Sequence, residues 1–287
     1  MFKKVVYYKY NEKGRKTYLP CTTTYYCRFC NTQKKRSDFG KDAHVVSESL
    51  GNKYLLSKYE CDQCNLDFAN CEENEIGKLF KFYKANRGLK GKKGKTKIKK
   101  DGIEMMADYI EESKNYSFHL NTFGSSYITR YDNGCDQRGK VFTLKLRDSN
   151  IIDFRCVYRA LLKYAWGIIP ENLIDDLERS FILLHNDDGK QDLRLCAFIH
   201  EKINRNYEIA LYKDNEWIYT RYICLIDIFQ FTYVIFLNCE PILSSELYKY
   251  LHYDSDDILK VIDLDYSSSS CNLLQEDEIK GIVSDYE

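Results

Sequence analysis

The sequence of 287 residues lacks the features that mark exported and membrane-spanning chains. No uninterrupted run of about 18 apolar residues occurs, so the sequence predicts no membrane span. Its first residues contain no apolar segment typical of a signal peptide, and we therefore expect a cytoplasmic protein. In a chain without an export signal, the twelve cysteines favour metal ligation and buried thiols over a disulfide framework.

The chain also lacks net charge, because 43 Lys and Arg balance 43 Asp and Glu. The balance conceals a division between the two ends of the chain. Residues 1–100 contain 24 basic and 10 acidic residues, and the remaining residues contain 19 basic and 33 acidic ones. A basic half of this kind favours contact with a polyanion such as nucleic acid; neutralisation of one half by the other is the alternative.

The residues that are present are typical of a folded α+β protein, with 44% apolar and 30% charged residues. Periodicity and turn residues predict a short hairpin in residues 1–20 and helices over 65–83, 154–169 and 172–184. Four strands should follow, over residues 193–199, 207–213, 217–224 and 229–238.

Two Cys-x-x-Cys pairs, Cys27/Cys30 and Cys61/Cys64, are separated by thirty residues. Four thiolates at about 2.3 Å complete a tetrahedron around zinc and leave no open position, so the spacing predicts a structural zinc site. In a module of about sixty residues, such an ion would replace much of the missing hydrophobic core. Cys21 or Cys71 could substitute for one of the four ligands.

His44 lies between the two pairs and is the only histidine among the first hundred residues. A neutral histidine can deprotonate water near pH 7, and phosphodiester hydrolysis also requires a metal ion. A hard ion such as Mg²⁺ needs only one or two protein ligands. Asn65, which follows Cys64, and a nearby carboxylate are the candidates; the carboxylate is Asp42, Glu72 or Glu73. A histidine with a purely structural role is the alternative.

These motifs together resemble the HNH endonuclease superfamily and its ββα-metal fold. The resemblance covers about residues 20–85 and is carried by C-x-x-C, then AHVVSESLGN, then C-x-x-C-N before an acidic helix. It implies that His44 is the general base, that Asn65 helps to hold a catalytic divalent ion, and that the four cysteines hold a structural zinc. The middle asparagine of the family motif would be Asn52.

Two positions depart from the family pattern. Many members carry an acidic residue directly before the histidine as a metal ligand, whereas this sequence has Ala43 there and Asp42 one position earlier. Val46 occupies the place of the usual proline. The sequence therefore leaves three candidates for the carboxylate ligand, namely Asp42, Glu72 and Glu73.

The predicted organisation is an HNH module with structural zinc in residues 1–85, a basic linker in 86–101, a mixed α/β regulatory or partner-docking domain in 102–265, and an acidic tail in 266–287. Eight of the fifteen residues in 86–100 are Lys or Arg. The side chains expected to contact phosphates are Lys41, Lys53, Lys90, Lys92 and Lys93.

The sequence thus favours a metal-dependent HNH endonuclease that acts on DNA, with RNA as the other possible substrate. A regulatory or targeting protein partner, or a homo-oligomer, would restrain it, and an antiviral defence or mobile-element role fits the resemblance. The alternative is a catalytically inactive, zinc-stabilised protein that binds nucleic acid or docks a partner, which Ala43 favours. A third possibility is an interaction subunit.

Overall fold

The computed structural model describes residues 2–10, 16–19, 24–86, 89–91, 94–100, 103–110, 115–122, 131–132, 140–146, 152–185, 193–199, 207–214, 221–238, 258–264 and 277–283. The chain forms two compact units. The first unit comprises Met1–Phe80 and Asp153–Ser269, and the second comprises Lys81–Ile152 and Ser270–Glu287. Within the described residues, no helix combines the length and the apolar character needed to cross a bilayer.

The helices and strands are mixed along the chain, which confirms the predicted α+β class. The helices are α1 (Asp62–Asn70), α2 (Glu72–Leu79), α3 (Lys81–Asn86), α4 (Phe154–Ile168) and α5 (Glu178–His185). The strands are β1 (Lys3–Lys9), β2 (Thr17–Tyr18), β3 (Tyr26–Cys27), β4 (Thr32–Gln33), β5 (Ala43–His44), β6 (Leu55–Ser57), β7 (Lys90–Gly91), β8 (Gly94–Lys95), β9 (Ile98–Lys100), β10 (Ile103–Ile110), β11 (Asn115–Thr122), β12 (Tyr131–Asp132), β13 (Lys140–Leu146), β14 (Leu193–Ile199), β15 (Glu208–Asp214), β16 (Arg221–Ile228), β17 (Phe231–Phe236), β18 (Ile258–Leu264) and β19 (Asp277–Val283). Single 3₁₀ turns lie at Arg36–Phe39, Glu48–Leu50, Glu171–Leu173 and Asp175–Leu177.

The first unit contains a six-stranded antiparallel sheet in the order β1-β15-β16-β17-β14-β18. Every residue of β17 is buried, so side chains on both faces of this strand are covered. Val234 and Phe236 join a hydrophobic cluster on one face. Phe231 and Tyr233, at the alternate positions, pack against Phe80 on the other face.

Helix α4 is the central element of the first unit. Twelve of its fifteen residues are buried, as expected for a helix that is covered on all sides. The carboxylate of Asp153 caps its N-terminus by accepting from the backbone N–H groups of Arg155 and Cys156 at 2.9 and 3.2 Å. The helix ends at Ile168, because Ile169 precedes Pro170 and is extended. α4 packs against α2, α5 and the strands β15 to β17.

The second unit, taken by itself, contains three small sheets. These have the strand orders β11-β10-β9, β12-β13-β19 and β7-β8. β10 and β11 pair over eight residues each. β19 lies within the segment 266–287, which the sequence predicted to be an acidic tail, and pairs with β13 from Lys140 to Leu146.

Several predicted elements differ from those observed. The hairpin in residues 1–20 is wrong, because β1 pairs with β15 and β2 pairs with β6 in another sheet. The predicted helix over 65–83 is three helices, α1 to α3, with a break at Cys71 where ψ is −88°. The strand predicted over 217–224 corresponds to β16, which spans Arg221–Ile228. Phe229, with a φ of 58°, lies in the turn between β16 and β17.

The predicted division into a module of residues 1–85 and a domain of residues 102–265 stays a prediction. Helix α2 from the former and α4 from the latter pack together within the first compact unit.

Replacing Phe80 with alanine should destabilise the first unit by about 3–5 kcal/mol, because the ring is fully buried. Its centroid lies 5.2 Å from the ring of Phe229, 5.7 Å from Phe231 and 6.1 Å from Tyr233. Urea denaturation measures the change. Leu66→Ala is the control, because Leu66 is 45% exposed and should cost less than about 0.5 kcal/mol. Equal losses in the two variants would contradict this packing.

Candidate active site and metal centre

Two local structures bring the four predicted cysteines together. The β3–β4 turn carries Cys27 and Cys30, and the start of α1 carries Cys61 and Cys64. Their sulfur atoms all lie within 4.8 Å of one another, and the Sγ atoms of Cys27 and Cys64 are 3.8 Å apart. A zinc tetrahedron with bonds of about 2.3 Å has edges of about 3.8 Å. The thiol set therefore fits a bound metal ion, as the spacing predicted.

The backbone around this cluster favours thiolate. The N–H of Cys61 donates to Sγ of Cys27 at 3.3 Å. Hydrogen bonds from the Cys64 thiol and from backbone N–H groups outweigh burial and lower the pKa of Cys27 to about 4. The hydrogen bond to Cys27 raises the pKa of Cys64, and burial raises the pKa of Cys61. A cation in the cluster would favour ionisation of all four thiols.

Cys71 and Cys21 are the two other cysteines that the sequence offered as substitutes for one of the four ligands. Cys71 is exposed between α1 and α2 and does not belong to the cluster. Cys21 lies outside the described residues.

His44 lies on a short antiparallel hairpin, in which β5 pairs with β6 and His44 is opposite Leu56. Its side chain is partly buried. Burial lowers the pKa of His44 from 6.5, against the opposing charges of Glu48, Glu73 and Asp42. The imidazole is therefore neutral at pH 7, which is the form that can accept a proton.

Asn52 holds the loop between β5 and β6. Its Nδ2 donates to the carbonyl oxygens of Val46 at 2.7 Å and Leu55 at 2.9 Å. Its Oδ1 accepts from the backbone N–H groups of Leu55 at 2.9 Å and Tyr54 at 3.2 Å. The buried amide thus uses both its donors and its acceptor on the backbone, which fixes the loop that follows His44.

Asn65 lies in the first half of α1, directly after Cys64, and is partly exposed. Its backbone N–H donates to the carbonyl of Cys61 at 3.0 Å. The cysteine cluster therefore sets the position of Asn65, because the helix that carries the side chain begins at the cluster.

The predicted carboxylate Asp42 lies on the surface two residues before His44. It accepts from Lys16 Nζ at 2.5 Å and from the hydroxyl of Tyr18 at 3.2 Å. The hydrogen bond to Lys16 lowers the pKa of Asp42, so that the side chain is a carboxylate at neutral pH.

Glu72 and Glu73 on α2 instead face α4. An oxygen of Glu72 lies 3.0 Å from Nη2 of Arg159, and an oxygen of Glu73 lies 2.9 Å from Nζ of Lys163. Arg159 and Lys163 are four residues apart and therefore share one face of α4. These two pairs fasten α2 to α4.

Lys163 is a residue of this site that the sequence did not predict. Its side chain is 1% exposed, and Nζ contacts Glu60 at 3.1 Å, Glu73 at 2.9 Å and the carbonyl oxygen of His44 at 3.3 Å. The carboxylates raise the pKa of Lys163 against the opposing effect of burial, and burial raises the pKa of Glu60 to about 7. A lysine within an otherwise apolar helical run was the available signal, since a buried ammonium requires acidic partners.

Of the lysines predicted to contact phosphates, Lys41 and Lys53 are exposed. The side chain of Lys90, and all of Lys92 and Lys93, lie outside the described residues.

Residues 27–81 match the family model of the HNH endonucleases, which confirms the resemblance over 55 of the 287 residues. Comparisons with curated proteins and with solved structures found no significant match. The matched segment contains the cysteine cluster, the β5–β6 hairpin, α1 and α2. The similarity of this segment to a nuclease family supports nuclease activity and a nucleic-acid substrate.

Substituting Cys64 with serine should abolish stoichiometric zinc binding, because three thiolates and a hydroxyl no longer close the tetrahedron. Elemental analysis of the purified protein should give one zinc per chain for the unaltered protein. Cys71→Ser is the control and should retain the metal, because Cys71 lies outside the cluster. Full zinc content in Cys64→Ser, or less than one zinc per unaltered chain, would exclude this site.

Replacing Lys163 with methionine should destabilise the protein by about 3–5 kcal/mol, because it leaves the buried Glu60 and the partly buried Glu73 without their cation. The matched control is Lys78→Met, which removes an ion pair with Glu75 at a lysine that is 41% exposed. That change should cost less than about 1 kcal/mol. Urea denaturation of both variants distinguishes the two, and similar losses would contradict the role given to Lys163.

Proposed function

We propose that this protein is a metal-dependent HNH endonuclease that hydrolyses phosphodiester bonds in DNA. The observation that carries the proposal is the position of His44 on a hairpin whose loop is fixed by Asn52 and which leads into the cysteine-anchored helix of Asn65. This strand–strand–helix order lies within the segment that matches the HNH endonuclease family.

In this proposal His44 is the general base that activates water. Its lowered pKa supports that role, because a larger fraction of the imidazole is neutral than in a solvated histidine. Hydrogen bonding of its carbonyl oxygen to Lys163 and pairing of β5 with β6 hold the backbone that carries the imidazole.

Asn65 and Asp42 are the residues that we propose as ligands of the catalytic ion. Asp42 is exposed and its pair with Lys16 is exposed too, so releasing it costs little. Glu72 and Glu73 are paired with Arg159 and Lys163 of α4, and taking either carboxylate for a metal would break a contact that fastens α2 to α4. Oxygen donors suit Mg²⁺ or a similar hard ion, which when bound would neutralise charge developing on the phosphate.

The substrate and the biological role are proposed from the exposed basic side chains and from the resemblance to the HNH endonucleases. Exposed Lys41 and Lys53 support binding of the phosphate backbone, and RNA is the other substrate compatible with that contact. An unrestrained nuclease would damage its host, so we include restraint by a regulatory or targeting partner or by self-association. An antiviral defence or mobile-element role remains part of the proposal.

A second candidate is a zinc-stabilised protein that binds nucleic acid or docks a partner without cleaving. Ala43 favours it, because this buried side chain occupies the position of the usual acidic ligand and offers no oxygen. The two candidates differ in one measurable property, which is hydrolysis in the presence of a divalent ion.

We expect His44→Ala to reduce cleavage by about 10²- to 10⁴-fold, because the general base is removed. The assay incubates the purified protein with plasmid DNA, single-stranded DNA or RNA and with Mg²⁺, Mn²⁺ or Ni²⁺. For the unaltered protein, the acidic limb of the pH–rate profile should lie below pH 6.5, since activity is lost only as His44 becomes protonated.

The control variant is His119→Ala, which removes a histidine from β11 in the second unit and should cleave like the unaltered protein; thermal melting checks the fold of each variant. Equal cleavage by His44→Ala would remove His44 as the base. Absence of cleavage by the unaltered protein under all these conditions would favour the non-cleaving candidate.

A further inference from the structure

We propose that a cavity beside β5 in the first unit binds an unpaired nucleotide of a single-stranded nucleic acid. The cavity has a volume of about 480 Å³, which is within the range of small-molecule sites. Its lining combines three basic and three aromatic side chains, namely Arg36, Lys41, Lys58, Tyr18, Tyr25 and Phe39. The assignment deepens the proposed function, on which it rests, by giving the substrate class of the same module.

The charge of the cavity suits a phosphate. Arg36, Lys41 and Lys58 are all exposed, and such side chains form charge-assisted hydrogen bonds with phosphate oxygens. The backbone N–H of Lys41 donates to Asp62 Oδ1 at 2.9 Å, and that of Gly40 donates to Oδ2 at 3.2 Å. Asp62 therefore fixes the segment that presents Lys41.

The acidic residues in the lining do not cancel this charge. Asp42 is paired with Lys16 at 2.5 Å, and Glu60 is buried against Lys163 at 3.1 Å. Both carboxylates thus face cations that are additional to the three basic side chains of the cavity. The cavity keeps its positive character as a result.

The aromatic side chains supply surfaces for a base. Tyr18 is 42% exposed and Tyr25 is 36% exposed, which makes them two of the five exposed large hydrophobic residues in the described part of the chain. Tyr25 has a φ of 57°, a left-handed conformation that bulky residues rarely adopt. Its ring lies 6.2 Å from that of Phe39, between centroids. Retention of an exposed aromatic residue in a strained backbone is typical of ligand sites.

These features favour a single strand over a duplex. Bases in a duplex are stacked on one another, so their faces are inaccessible to a protein ring. Single strands bind proteins through the combination seen here, in which basic groups follow the backbone and aromatic rings stack on splayed bases. Asp42 lies at the cavity and two residues before His44, so a nucleotide held there would lead its strand towards β5.

Fluorescence anisotropy tests the site with labelled twelve-nucleotide dT and rU strands and a twelve-base-pair DNA duplex. The full-length protein is used without added divalent ion, so binding is measured independently of cleavage. Tyr18→Ala should weaken single-strand binding about 10-fold through lost stacking, and duplex binding less than about 2-fold. Tyr18→Phe keeps the ring but loses the hydroxyl contact with Asp42, and should bind like the unaltered protein.

The matched control is Tyr7→Ala, which removes a tyrosine that is 53% exposed on β1 and outside the cavity. Tyr25→Asn, whose side chain tolerates a positive φ, should reproduce the loss seen with Tyr18→Ala. Lys58→Ala should reduce the slope of log affinity against log salt by about one. Melting curves confirm that each variant is folded.

Equal effects of Tyr18→Ala and Tyr7→Ala, or equal losses for single strand and duplex, would overturn the site. So would failure of the unaltered protein to bind either strand. A dU strand, which differs from rU only at the 2′ position, identifies the preferred sugar. A protein that binds in this way but never cleaves would refute the nuclease proposal and leave this site in place. Equal cleavage by Tyr18→Ala, Tyr25→Asn and the unaltered protein would refute this site and leave the nuclease proposal in place.

Discussion

The buried ammonium of Lys163 is the interaction on which the first unit depends. Removing an ammonium from water costs several kcal/mol, so the charge is tolerated only where acidic partners and further acceptors surround it. Glu60, Glu73 and the carbonyl oxygen of His44 provide this environment, and they come from three different parts of the matched segment. One side chain from α4 thereby fixes the strand of His44, the approach to the second cysteine pair and the start of α2.

The position of α4 changes how the matched segment should be understood. One part of the helix contacts α2, and another contacts the large sheet through β15 to β17. Arg28, next to Cys27, donates to the carbonyl oxygens of Trp166 at 3.2 Å and Ile169 at 2.8 Å, and Trp166 Nε1 donates back to the carbonyl of Arg28 at 3.3 Å. The β3–β4 turn, the hairpin of His44 and α2 are thus all held from one side by a helix that follows the matched segment by more than seventy residues. The segment carries the cysteine cluster and His44, whereas α4 supplies much of its packing.

The sequence predicted the features that local spacing determines. The cysteine quartet follows from two Cys-x-x-Cys pairs, and α4 follows from its helical stripe and from Pro170, which ends it. Prediction from the sequence was wrong where the partner of an element is distant in the chain. β1 pairs with β15 about 200 residues later, whereas a turn close to β1 had predicted a hairpin in residues 1–20. The partners of Glu72 and Glu73 were equally inaccessible, because an acidic residue near a metal motif has the same local pattern whether it binds an ion or a lysine of another helix.

The charge division in the sequence also gains a physical meaning from these pairs. Residues 1–100 contain ten acidic residues, and three of them, Glu60, Glu72 and Glu73, are paired with Arg159 and Lys163 of the acidic half. Basic residues of α4 therefore neutralise acids of the matched segment, while exposed lysines such as Lys41, Lys53 and Lys58 remain at its surface. At these pairs the later half of the chain removes negative charge from the matched segment, which favours a positive surface of the kind that nucleic acid requires.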